Sequence, residues 1–175
     1  VESMLEGPAG GLDTKWNQVL GGPGWFDPGT IAKNNLIDSI GMPSDVGFTT
    51  DVSCMWAWGT PSLVMLTAGV FQWTWNTPST WVISGLTASY YDLYLASFHP
   101  NEGGGAGKYT MADDNPTTTG AIQFVDNGGP NGNSSTWEVG VNYTVFENVE
   151  PDANGKITFT MVGTSGTDAI RAYIS

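Results

Sequence analysis

The chain has 175 residues, of which 40% are hydrophobic, and this is enough apolar material for one well-packed domain. Seventeen acidic residues against five lysines and arginines give a formal net charge of −12. Such a charge repels phosphate backbones and anionic membrane surfaces, so nucleic acid is excluded as an expected partner.

The composition predicts an all-β protein. The 24 glycines and 10 prolines exceed what long helices tolerate, and Thr, Val, Tyr and Trp are plentiful. No apolar run reaches the roughly 18 to 20 residues that a helix needs to span a bilayer. We therefore expect one domain over residues 1–175, built from short strands joined by long Gly-, Pro- and Asn-rich loops.

The first half of the chain has irregular strand signals. Residues 1–11 join a strand-like VESMLEG to two glycines, an arm able to pair within its own domain or to lie on a neighbour's sheet. Ordinary strand statistics favour pairing within the domain. Short strands are predicted at residues 16–20, 35–39 and 46–51, a loop at residues 21–29, and a helical turn opening at Pro61.

The second half has clearer signals. Residues 79–86 and 90–98 are rich in aromatic and β-branched side chains and are predicted to form a hairpin. In the second of these strands, leucines alternate with Asp92 and Tyr94, so one face is aliphatic and the other is aromatic with a single carboxylate. Further strands are predicted at residues 108–112, 120–125, 143–149, 156–162 and 169–174. This regular spacing indicates a two-sheet antiparallel β-sandwich.

Several segments carry a family resemblance. GLTASYYDLYLASF, together with YTVFENVEPDANGKITFTM and the closing AIRAYIS, resembles jelly-roll domains of secreted bacterial PEP-CTERM-type proteins. These domains are similar to galactose-binding and carbohydrate-binding β-sandwiches. The resemblance implies a jelly roll at the cell surface or outside the cell, and a mature start at Val1 is in keeping with secretion. The Pro-Glu-Pro tail of that family is absent.

The stop at Ser175 leads to a second expectation. A short last strand leaves backbone groups of a neighbouring strand unpaired, and a strand from another copy would cover them. Other copies of the chain are therefore expected partners.

Eight tryptophans are the main candidates for a binding surface. Trp56 and Trp58 share strand spacing, as do Trp73 and Trp75, so each pair faces one side of a strand. About two thirds of the eight are expected in the core. The four named tryptophans have mixed polar and apolar flanks, so they are interpreted as a platform for sugar rings or as anchors of a subunit interface.

Calcium is the only metal that the composition readily allows, because its ligands are carboxylate and carbonyl oxygens. The weak oxygen-donor candidates are Asp113, Asp114, Asp126 and Asp152, and none fits an EF-hand spacing.

Weak glycosylation sequons begin at Asn133 and Asn142. The single Cys54 excludes an internal disulfide.

Catalytic signals are sparse. His99 is the only histidine, and there is no GxSxG or comparable nucleophile motif. Glu138 and Glu147 would serve as a glycosidase pair, but any acidic protein offers such pairs. We therefore expect no enzyme and no cofactor, apart from the calcium candidates.

Two functions remain at this point. One is a self-assembling extracellular structural subunit of a filament, sheath or surface layer, which the aromatic surplus and the scarcity of edge-guarding lysines favour. The other is a carbohydrate-binding module that would bind polysaccharide on the tryptophan pairs. The sequence favours the structural subunit by a narrow margin.

Overall fold

The computed structural model describes residues 5–6, 12–13, 24–26, 31–36, 38, 41–51, 54–57, 68–71, 78–97, 106–112, 120, 122–126, 139–140, 143–165 and 169–174. Every regular element in these ranges is a β-strand, as the composition predicts. In chain order the strands are β1 (Leu5–Glu6), β2 (Leu12–Asp13), β3 (Gly24–Phe26), β4 (Ile31–Lys33), β5 (Gly47–Thr50), β6 (Cys54–Ala57), β7 (Ala68–Phe71), β8 (Ser79–Ser84), β9 (Tyr91–Ser97), β10 (Ala106–Met111), β11 (Ile122–Asp126), β12 (Tyr143–Val149), β13 (Ile157–Ser165) and β14 (Ala169–Ile174).

The strands form two antiparallel six-stranded sheets and one small sheet. Sheet I has the order β11-β10-β13-β8-β5-β4, and sheet II has the order β12-β9-β14-β7-β6-β3. The small sheet pairs β1 with β2, next to each other in the chain. The strand β14 pairs with β9 on one side and with β7 on the other, so this last strand lies inside sheet II and not at its edge.

Both sheets contribute to one core. Sheet I buries aromatic side chains such as Trp81, Tyr109 and Phe159, and sheet II buries Leu93 and Leu95. The buried positions alternate with half-buried ones along β8, as the period of two in a strand requires. The arrangement is therefore all-β and sandwich-like. The two faces predicted for β9 are present, and the structure turns the aliphatic one inward.

Trp81 is at the centre of this core, where most tryptophans were expected. Its ring stacks on Phe48 of β5 and on Phe159 of β13, with centroid distances of 6.0 Å in both cases. The indole Nε1–H donates to the Ser79 hydroxyl oxygen at 3.1 Å, so the polar atom of the buried ring has a partner. Trp81 therefore ties three neighbouring strands of sheet I together.

The predicted hairpin of residues 79–86 and 90–98 is wrong. The strand β8 pairs with β13 and β5 in sheet I, whereas β9 pairs with β12 and β14 in sheet II. The connection leaves β8 at Gly85, which has φ +77°, and crosses from one sheet to the other. The phenol oxygen of Tyr91 accepts the backbone N–H groups of Thr87 and Ala88, both at 2.8 Å, and so closes the connection without a β-ladder.

A second crossing lies beside the first. Residues 150–156 lead from β12 in sheet II to β13 in sheet I, and the Leu86 N–H donates to the Gly155 carbonyl oxygen at 3.1 Å. We call these two connections, residues 85–90 and residues 150–156, the arches. They hold the start of β9 close to the end of β12.

The strand predicted at residues 35–39 is also wrong in its described part. Asn35 has φ +53°, and the Asp38 carboxylate accepts the Met42 N–H at 2.8 Å. Such local bonds from side chain to backbone compete with strand pairing, so the described residues between β4 and β5, 34–36, 38 and 41–46, form a folded loop. The strand predicted at residues 16–20 and the helical turn at Pro61 lie outside the described residues.

Candidate functional site

The predicted tryptophan platform is only partly within the described chain. Trp56 lies in β6, where its register partners are Trp25 of β3 and Gly69 of β7. Trp58, Trp73 and Trp75 lie outside the described residues, and so do His99 and Glu138. The tryptophan platform therefore stays a prediction.

Among the calcium candidates, Asp152 caps a turn. Its Oδ1 accepts the backbone N–H groups of Asn154 at 2.8 Å and of Lys156 at 2.9 Å. These bonds, that from Lys156 first, stabilise the charged form and lower the pKa of the Asp152 carboxyl below its ordinary value. The observed role of this carboxylate is to close the second arch.

The other candidates give no geometry for a metal or a glycan. Asp126 ends β11, while Asp113, Asp114, Asn133 and Asn142 lie outside the described residues. In the described ranges, no three His, Cys, Asp or Glu side chains come together as a group able to hold a metal ion. Calcium binding and glycosylation remain predictions.

The outer surface of β9 and β12 carries a pair of tyrosines. The register places Val145 of β12 opposite Tyr94 of β9, so Tyr143 is the diagonal neighbour of Tyr94. Their ring centroids are 6.1 Å apart with an angle of 30° between the ring planes. An offset contact of this kind stabilises the strand pair by about 0.5 to 1.5 kcal/mol. It leaves both side chains only half-buried.

Two exposed carboxylates lie beside each other at one end of this tyrosine pair. Asp92 precedes Tyr94 by two residues on β9, and Glu147 follows Val145 by two residues on β12, so all four side chains lie on the outer face. Burial raises the pKa of the Tyr94 phenol, and the negative charge of Asp92, the Tyr143 phenol and the charge of Glu147 raise it further. We call Tyr94, Tyr143, Val145, Asp92 and Glu147 the tyrosine face.

A bulge fixes one end of the tyrosine face. The register between β12 and β9 shifts between Phe146 and Val149, and Asn148 has φ +54°. The Asn148 N–H donates to the Asp92 Oδ1 at 2.9 Å across the two strands. Because bulges hinder the addition of another strand, the edge of sheet II at β12 is guarded.

The edge of sheet I at β11 is different. Its sequence IQFVD contains neither lysine nor proline, and the only described strand paired with it is β10. Ile122 is 46% exposed at the start of this strand. By contrast, the opposite edge strand β4 ends in Lys33, a residue type that discourages edge pairing. Among the described edges with more than three residues, β11 is the unguarded one.

Side chains link the two edges on this side of the molecule. The Thr144 hydroxyl of β12 donates to the Gln123 side-chain oxygen of β11 at 3.3 Å. Thr144 is buried, whereas Gln123 is exposed. Because this bond joins two side-chain atoms, it does not occupy the backbone N–H and C=O groups of β11.

The sequence predicted part of this site. The alternation in residues 90–98 placed Tyr94 and Asp92 on one face of a strand. It did not give which face is outer, the partner strand, or the register of Tyr143 and Glu147. The available signal was the spacing Tyr143, Val145 and Glu147, which places these residues on one face of a strand.

Comparisons with known proteins found no relatives: no family model, no curated protein and no solved structure matches the chain. The described residues include no helix long and apolar enough to cross a membrane.

Proposed function

We propose that the chain is a non-catalytic, extracellular structural protein whose copies assemble into a filament, sheath or surface layer. The unguarded edge strand β11 carries this proposal. Its outer side offers backbone N–H and C=O groups to a strand from a second copy, and Ile122, Phe124 and Val125 are β-forming residues that suit such pairing.

The charge of the chain opposes assembly, but little of that charge lies at this edge. Asp126 is the only acidic residue of β11, and Lys108 of β10 is the register partner of Phe124. A contact through β11 would therefore bring few carboxylates together, although the net charge is −12. Strand addition also satisfies several backbone groups at once, which favours the bound state.

We further propose that the two sheets form a jelly roll. The strand pairs are nested, with β7 pairing β14, β8 pairing β13, β9 pairing β12 and β10 pairing β11. Folding this nested set into two layers gives the four-stranded orders β7-β14-β9-β12 and β8-β13-β10-β11, which are present in sheets II and I. Eight strands in two such sheets match a jelly roll. The strands β6 and β3 then extend one sheet, and β5 and β4 extend the other.

A matched pair of substitutions tests assembly through β11. Ile122→Lys puts a charge on the exposed start of the edge, and Met42→Lys makes the same change of charge in the loop between β4 and β5, where Met42 is 58% exposed. We expect the parent chain and Met42→Lys to form polymers, and Ile122→Lys to stay monomeric, by negative-stain electron microscopy and sedimentation velocity. Circular dichroism confirms that each variant is folded.

Two results would overturn this proposal. One is a parent chain that stays a monodisperse monomer at high concentration, with and without calcium. The other is equal polymer formation by Ile122→Lys and Met42→Lys, which would place the contact away from β11.

A carbohydrate-binding module is the second candidate, and the tyrosine face favours it. On this surface, half-buried aromatic rings stand beside exposed carboxylates. The rings offer a surface for sugar rings of the kind predicted for Trp56, Trp58, Trp73 and Trp75.

A further inference from the structure

We propose that the tyrosine face binds a cationic amino-sugar polysaccharide, a chain of glucosamine units with free amino groups. This binding does not depend on assembly through β11, because the two surfaces lie on different sheets.

The two rings supply the apolar part of the site. Tyr94 and Tyr143 are offset by 6.1 Å and are half-buried, so part of each ring is open to solvent on the outer face of sheet II. The electron-rich face of a tyrosine attracts cations as well as C–H groups of a sugar. Val145 lies opposite Tyr94 and extends the apolar surface between the rings and Glu147.

Charge complementarity selects the ammonium form of the sugar. Asp92 and Glu147 lie together at one end of the tyrosine pair, beyond Tyr94 and Val145, and both are exposed. Carboxylates accept short, strong hydrogen bonds from ammonium groups. The register places one basic residue, Arg171, opposite Ala96, so the two carboxylates outnumber it in this part of the sheet. The net charge of −12 strengthens attraction to a polycation and repels acidic polysaccharides.

The guarded edge favours a sugar over a basic peptide. An extended peptide gains much of its affinity by pairing with backbone groups of an edge strand. At β12 the bulge between Phe146 and Val149 interrupts the regular ladder, so an added strand would not find a continuous edge. An amino sugar would bind through ring faces, hydroxyl groups and ammonium groups. The interrupted ladder at β12 therefore does not weaken its binding.

Isothermal titration calorimetry with two matched oligosaccharides tests the proposal. The probe is the β-1,4-linked glucosamine hexamer at a pH where its amines are protonated, and the control is its fully N-acetylated, neutral counterpart. We expect binding of the glucosamine hexamer, weakening as salt is raised, and at least several-fold weaker binding of the acetylated hexamer.

Substitutions locate the site. We expect Tyr94→Leu to weaken binding about tenfold, because it removes a ring that contacts a cation. Glu147→Gln removes one exposed charge and should weaken binding about threefold, whereas Asp45→Asn removes an exposed charge from the loop before β5 and should leave affinity unchanged. Thermal unfolding checks that each variant is folded.

Any of four outcomes would overturn the proposal. These are no binding by the parent chain, equal binding of both hexamers, equal losses for Glu147→Gln and Asp45→Asn, or tighter binding of a lysine-rich hexapeptide than of the glucosamine hexamer. The readout is affinity for a soluble ligand, so failure here leaves assembly through β11 unaffected.

Discussion

Two glycines set the geometry of the arches at the scale of single residues. Gly85 and Gly155 have φ +77° and +69°, a region that residues with a Cβ rarely enter. A Cβ on Gly155 would lie 2.6 Å from the carbonyl oxygen of Leu86, and a Cβ on Gly85 would meet the backbone of Asp45. Close contact between connections distant in sequence therefore requires glycine at both positions.

A comparison of two glycines separates crowding from backbone strain. Gly120 has φ +66° with nothing near its would-be Cβ, so Gly120→Ala should lower the free energy of unfolding by about 1 kcal/mol. Gly155→Ala adds a clash with the Leu86 carbonyl and should lower it by about 3 kcal/mol. Urea unfolding at 25 °C measures both free energies. Equal decreases for the two variants would show that the arches can move apart with little loss of stability.

The strands of sheet I are held together by one stack of rings. Phe48, Trp81 and Phe159 come from β5, β8 and β13, which are adjacent in the sheet, and their rings form a continuous row across its inner face. Cross-strand aromatic pairs of this kind stabilise a sheet beyond the area that they bury. The stack therefore stabilises the pairing of β5, β8 and β13 in the middle of sheet I.

Removing the central ring should loosen all three strands. We expect Trp81→Ala to lower the free energy of unfolding by about 3 to 5 kcal/mol, because it leaves a cavity between two rings. Val82→Ala, on the half-buried opposite face of the same strand, should lower it by about 1 kcal/mol. Chemical denaturation compares the two, and Trp81→Phe gives a milder change if the alanine variant does not fold. Similar losses at positions 81 and 82 would contradict a stabilising role for the stack.

Charge acts on the whole molecule. A net charge of −12 on 175 residues makes copies repel one another at long range, whereas the proposed strand addition at β11 would act only at contact. Added salt shortens the range of the repulsion, to about 10 Å at 0.1 M and about 3 Å at 1 M. Backbone hydrogen bonds between strands are much less sensitive to salt.

Assembly should therefore increase with ionic strength. We expect static light scattering to show larger particles as sodium chloride is raised from about 0.01 M to about 1 M, because screening removes the repulsion. The Ile122→Lys variant is the control and should stay monomeric throughout. A decrease in particle size with salt would mean that ion pairs hold the copies together.

The sequence by itself determined the all-β class, the positions of strands such as β12 and β14, and which side chains of β9 share a face. These properties depend on local composition and on the period of two in a strand, both of which can be read from neighbouring residues. The strand predicted at residues 35–39 failed because bonds made by Asp38 and Ser44 to nearby backbone groups favour a loop.

Only the tertiary structure decided which strands pair. It placed β8 and β9 in different sheets and brought Tyr143 beside Tyr94 and Asn148 beside Asp92, which is 56 residues away in the chain. Pairing and register depend on how distant strands share one core, and a shift of one residue reverses every side chain of a strand. The tyrosine face and the edge position of β11 among the described strands follow from this pairing, which no local sequence pattern specifies.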